Sequence, residues 1–219
     1  MIKIDINKNE KYWLVSDTHY GHKNICRGVT DWRLPNGDIP IESTRPFSSI
    51  EEMNNTIVDN INNVVGQNDW LIHLGDWSFG GFDNIQKFRE RILCKNIVLV
   101  LGNHDHHIDK NKDDVRKLFT MVTKYLTIYH DKKQISLFHY PITSWDGMGK
   151  GSIHLHGHTH LSNDNRFGIG RRMDIGIDGH PEFRPYSLID ECIIPLLKRP
   201  IKSETEFIDH HTDKIINRR

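Results

Sequence analysis

With 219 residues, 37% hydrophobic content, five Trp and nine Phe, the chain can bury a sizeable core, which argues against general disorder. Lys plus Arg equals Asp plus Glu at 29 each, so the chain lacks the basic footprint of a nonspecific nucleic-acid binder. Affinity for a phosphate must then come from a local centre, and fifteen His, many in short clusters, are the raw material for one. Cys26, Cys94 and Cys192 are odd in number and make no Cys-x-x-Cys pair. With no signal-like N-terminus and no run of membrane-spanning length, they suggest a reduced, cytoplasmic protein with no membrane partner. Residues 1–197 read as one domain and 198–219 as a loose charged tail.

Ile2, Ile4 and Ile6 alternate with Lys3 and Asp5, as in a half-buried strand. Residues 12–16 read as a more buried strand that stops at Asp17-Thr18-His19. A carboxylate and an imidazole two apart, just past a strand's C-terminal end, occupy the place where open α/β sheets bind ligands. Residues 20–47 form a long polar loop with His22, Asn24, Arg27 and Arg45, punctuated by Pro35-Asn36-Gly37, Pro40 and Pro46. Loops of this length are usually functional or disordered. Ser48 or Ser49 starts a helix with Glu51 and Glu52 as capping-box partners, and Ile50, Met53, Ile57, Ile61 and Val64 form its core stripe.

Residues 70–74 form a buried strand ending in Gly75-Asp76, and Asp83 is placed to cap a helix with Ile85, Phe88 and Ile92 inward. The apolar strand 97–101 empties into Gly102-Asn103-His104-Asp105. A short charged helix is expected around 113–119. Residues 121–129 and 134–138 read as a hairpin whose second strand ends at His139-Tyr140-Pro141.

In residues 152–160, Ile153 and Leu155 alternate with His154 and His156, which predicts a strand with one apolar face. Gly157 lets the backbone turn sharply, and His158 and His160 can then project to one side as metal ligands. By itself the stretch reads equally well as a histidine-rich turn without metal. Strands at 172–177 and 186–189 close the domain, with Pro195 and Pro200 breaking up its end. His73, His130, His180 and His210 read as packed or solvated, and His106 and His107 as no more than lining.

Taken together, five apolar strands end at Asp17/His19, Asp76, Asn103/His104, His139 and His158/His160. Oxygen and imidazole donors without thiolate suit Mn, Fe, Ni or Zn. They outnumber the ligands of one tetrahedral ion and fit two ions sharing a bridging carboxylate.

The order Asp-x-His, Gly-Asp, Gly-Asn-His-Asp, His and Gly-His-x-His resembles the calcineurin-like metallophosphoesterase superfamily from Asp17 to His160. Small bacterial and phage members are most similar, through Gly21-His22-Lys23-Asn24. The resemblance implies an α/β four-layer sandwich: two mixed β-sheets flanked by helices. It also implies two divalent transition-metal ions, Mn first. Asp17, His19 and His160 would hold one, Asn103, His139 and His158 the other, with Asp76 bridging. His104 would be the proton donor and Asp105 would orient it, accepting from its ring. His156 is expected to face the cleft.

Two divalent ions outweigh two carboxylates, so the site would attract phosphate although the chain is neutral. Hydroxide generated there would attack phosphorus in line while His104 protonates the leaving alkoxide. His22, Asn24, Arg27 and Arg45 are candidate grips for phosphate oxygens, although both Arg read equally as surface residues. A nucleotide or cyclic nucleotide is the favoured substrate, a phosphomonoester the second. The rivals are a protein phosphatase and a non-catalytic metal-binding scaffold.

Overall fold

Facing alternates along each apolar run, and backbone pairing joins the ten short strands among the described residues into two sheets. The computed structural model describes residues 2–7, 9–110 and 114–201. Its strands are β1 (Ile2–Asp5), β2 (Tyr12–Val15), β3 (Trp70–His73), β4 (Asn96–Val100), β5 (Met121–Thr123), β6 (Leu126–His130), β7 (Lys133–Leu137), β8 (Ile153–His156), β9 (Arg172–Asp174) and β10 (Tyr186–Ser187). The helices are α1 (Ile50–Val64), α2 (Phe82–Arg91), the short α3 (His106–Lys110) and α4 (Ile194–Leu197). The first sheet runs β1-β6-β7-β8-β9 and the second β10-β2-β3-β4-β5. Both are mixed: β10 is antiparallel to β2 in one, β6 to β7 in the other.

Leu14, Ile72 and Val98 point into the core between the sheets, against Leu126, Ile135 and Leu155. Their neighbours Val15, Leu71 and Ile97 point the other way, onto Met53, Ile57 and Ile61 of α1 and Phe88 of α2. Two mixed sheets with flanking helices are thus the expected α/β architecture, with one face of the second sheet under α1 and α2. The Ser49 side chain accepts from the Glu52 amide at 3.1 Å, and Glu52 reaches back to the Ser48 amide at 2.8 Å, one residue before the N-cap, a shifted form of the capping box.

Several expectations change. The stretch 121–129 is two strands in different sheets, with β5 parallel to β4 and β6 antiparallel to β7. The hairpin therefore involves only β6 and β7. The Thr123 hydroxyl donates to the Tyr125 carbonyl at 3.0 Å and holds the break between them. Gly81, not Asp83, is the N-cap of α2, since its φ of 77° is open to glycine. Residues 116–118 make a single 3-10 turn rather than a longer helix; 111–113 lie outside the described residues. The last expected strand is cut to two residues because Ser187 caps a wide helical turn over Leu188–Ile193. That turn runs into α4, whose Pro195 sits in the first turn where no amide partner is lost. Of the expected tail, only 198–201 are described, and His210 lies outside.

β8 is buried on both faces, not one. Ile153 and Leu155 enter the inner core, whereas His154 is covered by the 139–152 segment: Trp145 lies 5.3 Å from its ring and the Ile142 amide donates to it.

Candidate metal centre

Parallel pairing places the strand ends beside one another. β2, β3 and β4 run parallel, and the ladder continues past them as the Asp17 amide donates to Gly75 and the His19 amide to Asp76. In the other sheet β7 and β8 are parallel, and the Gly157 amide donates to the His139 carbonyl. The C-terminal ends of five strands thereby meet at one rim.

The backbone at that rim is unusual. Asp17, His19, Asp76, His158 and His160 have φ of 58°, 49°, 56°, 71° and 48°, the left-handed region that non-glycine residues avoid. Such outliers concentrate at functional sites, where the surrounding structure imposes them. Here they aim five candidate ligands into the cleft. Gly157 contributes space rather than turn freedom, because a Cβ there would lie 2.4 Å from the Asp17 carboxylate.

Two groups result, Asp17 with His19 and His160, and Asp76 with His139 and His158. His158 and His160, although two apart in sequence, serve different groups. Asp76 joins the two: its Oδ2 lies 3.7 Å from His19 Nε2 and 3.6 Å from His139 Nε2. Its Oδ1 accepts from the His104 amide at 2.9 Å.

The donors suit a cation. Asp17 Oδ1 is buried without a hydrogen-bond partner, and lies 4.0 Å from His19 Nε2 and 3.8 Å from His160 Nε2. Burial, with Asp174 and Asp76 nearby, pushes the Asp17 carboxyl up to about 8, so it requires positive charge to ionise fully at neutral pH. In the other group, His139 Nδ1 donates to the Leu74 carbonyl at 2.7 Å, which leaves the Nε2 lone pair 2.9 Å from Asn103 Oδ1. Two acceptors facing each other repel unless a cation neutralises both. Burial lowers His139 to about 4 and, with Arg45 and His160, holds His19 well below its usual range. Both stay in the neutral form that binds metals.

His104 is exposed to the cleft, with its ring 5.7 Å from that of His19. Asp105 does not accept from it, which corrects the expected orienting contact. The buried carboxylate instead accepts from the Asp76 amide at 2.8 Å, Trp77 at 2.9 Å and Gly102 at 2.8 Å. It clamps two strand-end turns together and so fixes the backbone that carries His104.

Of the loop residues, His22 reaches the site. It stacks on Phe79 with centroids 3.8 Å apart, and Phe79 lies 4.6 Å from His104. Trp32, exposed at the edge, meets His22 at 5.9 Å. Asn24 and Arg27 are instead engaged within the loop, Asn24 accepting from the Asp31 amide and Arg27 donating to Ile41 and Thr44. Arg45 is not available to a phosphate either. It is buried, forms a double ion pair with Asp178, and donates to the carbonyls of Asp17 and Thr18.

His156 is buried rather than facing the cleft, with Nδ1 2.9 Å from the Gly157 carbonyl, and burial lowers it to about 4. His73 and His180 are packed, as expected. The Thr18 hydroxyl donates to Trp77, so it must accept from His73 Nε2 while the Gly75 amide donates to His73 Nδ1. Asp178, Phe79, Trp32 and Tyr140 were missed. The signal for Asp178 was present, since Ile177-Asp178-Gly179 repeats the apolar-then-acidic pattern of the strand ends, although the strand expected over 172–177 stops at Asp174 and Asp178 sits in a 3-10 turn.

Among proteins of similar sequence, an uncharacterized protein of Methanocaldococcus jannaschii, MJ1445, is 29% identical over 194 residues, covering 86% of this chain and 92% of its own. The gene 66 protein of Mycobacterium phage L5 is 26% identical over 199 residues, covering 76% and 86%. A solved structure of a protein of unknown function from Aquifex aeolicus, AQ665, superposes with a TM-score of 0.56 at 23% identity over 82% of this chain and 96% of that one, a likeness of fold. The family model of calcineurin-like phosphoesterases matches residues 10–212, a span that contains every strand end described above. The chain belongs to the calcineurin-like phosphoesterase family, whose members are hydrolases that use divalent metals.

Proposed function

We propose that the protein hydrolyses phosphoester bonds of a nucleotide or cyclic nucleotide with two divalent metal ions, Mn first among Mn, Fe, Ni and Zn. The observation that carries this reading is Asp76 Oδ2 lying within 3.7 Å of His19 Nε2 and 3.6 Å of His139 Nε2, which makes one carboxylate common to both groups. Asp17, His19 and His160 would hold one ion, and Asn103, His139 and His158 the other. Bound there, such ions would supply positive charge for a phosphate and lower the pKa of a water to about 7.

The remaining chemistry belongs to side chains. His104, exposed beside both groups, protonates the departing alkoxide, and Asp105 serves it through the backbone rather than the ring. His22, Phe79 and Trp32 form an aromatic wall beside His104, and Tyr140 lies 4.7 Å from His158 in the second group. Flat apolar surfaces flanking a phosphate site favour a leaving group with a ring to stack, which supports a nucleobase over an alkyl phosphate. The buried, unpaired Cys26, Cys94 and Cys192 suit a reducing cytoplasm.

Assaying nucleotides, cyclic nucleotides, bis(p-nitrophenyl) phosphate and phosphopeptides with Mn, Ni, Zn and Mg in turn tests the assignment. Turnover of nucleotides with Mn is expected. Metal-loaded protein inert to all of them refutes catalysis and leaves a scaffold. Activity confined to phosphopeptides refutes the substrate class in favour of a protein phosphatase.

A further inference from the structure

The cluster that the metal chemistry above does not absorb is Arg45 with Asp178, which lies behind His160. Asp178 Oδ2 is 2.7 Å from His160 Nδ1. Arg45 Nε donates to Asp178 Oδ1 at 2.7 Å and Nη2 to Oδ2 at 2.9 Å. The same guanidinium donates from Nη1 to the Thr18 carbonyl at 2.8 Å and from Nη2 to the Asp17 carbonyl at 2.6 Å. One cation therefore braces the left-handed turn carrying Asp17 and His19 and, through Asp178, the ring of His160.

The geometry points to Arg45 and Asp178 as positioning residues that set the tautomer and aim of His160, and thereby the affinity of the Asp17–His19–His160 group for its ion. The inference rests on the metal reading proposed above. An ionised carboxylate only accepts hydrogen bonds, so the proton on His160 must sit on Nδ1. Nε2 then presents its lone pair to the cleft, 3.1 Å from His19 Nε2. Without Asp178 the ring is free to rotate and to place its proton on Nε2, where it blocks coordination. Without Arg45, Asp178 becomes a partly buried charge with no cation beside it, and the carbonyls of Asp17 and Thr18 lose their donors. Lysine at 45 cannot replace this, because a point charge lacks the planar fork that meets Asp178 and two carbonyls at once.

Two measurements test it. The first is imidazole nitrogen NMR of the metal-free full-length protein, which reads the tautomer of His160 directly. Wild type is expected to show Nδ1–H, and Asp178→Ala a mixture of tautomers. The second is a calorimetric titration with Mn. Asp178→Ala and Arg45→Gln should weaken one of two binding steps by about 10- to 100-fold and leave the other at its wild-type value. Asp178→Asn, which keeps an acceptor for Nδ1–H, should recover most of that loss.

A wild-type His160 that carries a proton on Nε2 and none on Nδ1 overturns the proposal, and so does an Asp178→Ala protein whose two binding steps both keep their wild-type values. Equal weakening of both steps also overturns it, by showing a general structural role. If Asp178→Ala fails to fold, wild type and Asp178→Asn still decide it by NMR. If wild-type protein binds no metal, the reading of the site fails, yet the tautomer result still stands or falls alone.

Discussion

Gly157→Ala is the most revealing single perturbation of the site, because it adds one methyl group and alters no ligand. An added Cβ would lie 2.0 Å from Ser16 Oγ, 2.5 Å from Ser16 Cβ and 2.4 Å from Asp17 Oδ2. Ser16 and Asp17 are fully buried, and the Asp17 carboxylate is tied to the His158 amide at 2.9 Å, so neither can swing aside freely. Restoring ordinary contact means moving Oδ2 by about 1 Å, whereas metal ligands tolerate deviations of only about 0.2 Å. Overpacking of this kind costs roughly 1–3 kcal/mol. For a chain of this length that is a fall in Tm of about 2–12 °C.

Thermal unfolding and Mn calorimetry of Gly157→Ala should show both effects, a lower Tm and loss of the binding step assigned to Asp17. Gly37→Ala is the control. Its φ of 89° makes alanine strained, by about 1–2 kcal/mol, yet no atom lies within 4 Å, so metal binding should not change. A Gly157→Ala protein with wild-type Tm and both binding steps intact would refute the claim that this glycine exists to let two strand ends touch.

Substituting His104→Ala should leave both metal-binding steps in place and lower kcat by about 10²- to 10⁴-fold; loss of a bound ion would show that the ring is a ligand. Trp32→Ala should raise KM for nucleotides roughly tenfold, with little change for a phosphate ester that has no ring, since stacking on one aromatic surface contributes about 1–3 kcal/mol. An equal change for both substrates would remove the aromatic wall from substrate recognition. Asp76→Asn should weaken both Mn steps together, and selective loss of one would exclude a shared carboxylate. Burial depresses His73 and His154 to about 3, so the unfolded chain binds their protons first. Their contribution to stability is complete above the unfolded value of about 6.5 and declines as pH falls toward about 3, with a slope of at most about 1.4 kcal/mol per pH unit for each. Urea midpoints that stay flat between pH 6.5 and pH 4, within this window, would contradict that burial.

The site was legible in the sequence because its ligands follow apolar runs. Val15, Leu74, Leu101 and Leu155 sit just upstream of the polar turns, and parallel pairing brings such turns to one rim. What pattern could not reach is orientation. The alternation of residues 152–160 marked a strand, but nothing in it says that His158 and His160 would diverge to different groups, since that divergence comes from left-handed backbone at both. Arg45 is the clearest case. Its place in a polar loop made it look like a surface cation for phosphate, and only the crossing of that loop beneath the Asp17 turn buries it against Asp178. Asp105 misled for the same reason, because adjacency to His104 in sequence says nothing about where its carboxylate points. Long-range closure decides both, and composition carries no trace of it.

Five left-handed residues at one rim raise the question of what holds them, since each costs about 1–2 kcal/mol relative to ordinary backbone. Three fixed groups answer it. Asp105 accepts from the amides of Asp76, Trp77 and Gly102; Arg45 donates to the carbonyls of Asp17 and Thr18; and Asp174, nearly fully buried, accepts from the hydroxyl of Thr159 and the amides of Leu161 and Gly176. Each braces at least one ligand-bearing turn from behind, Asp105 two of them, and none of the three belongs to either ligand group. The turns are therefore held by bonds to their backbones, while Asp17 Oδ2, Asp76 Oδ1 and the Nδ1 atoms of His139 and His160 have fixed partners of their own. This is why the rim can hold buried, unpartnered acceptors such as Asp17 Oδ1.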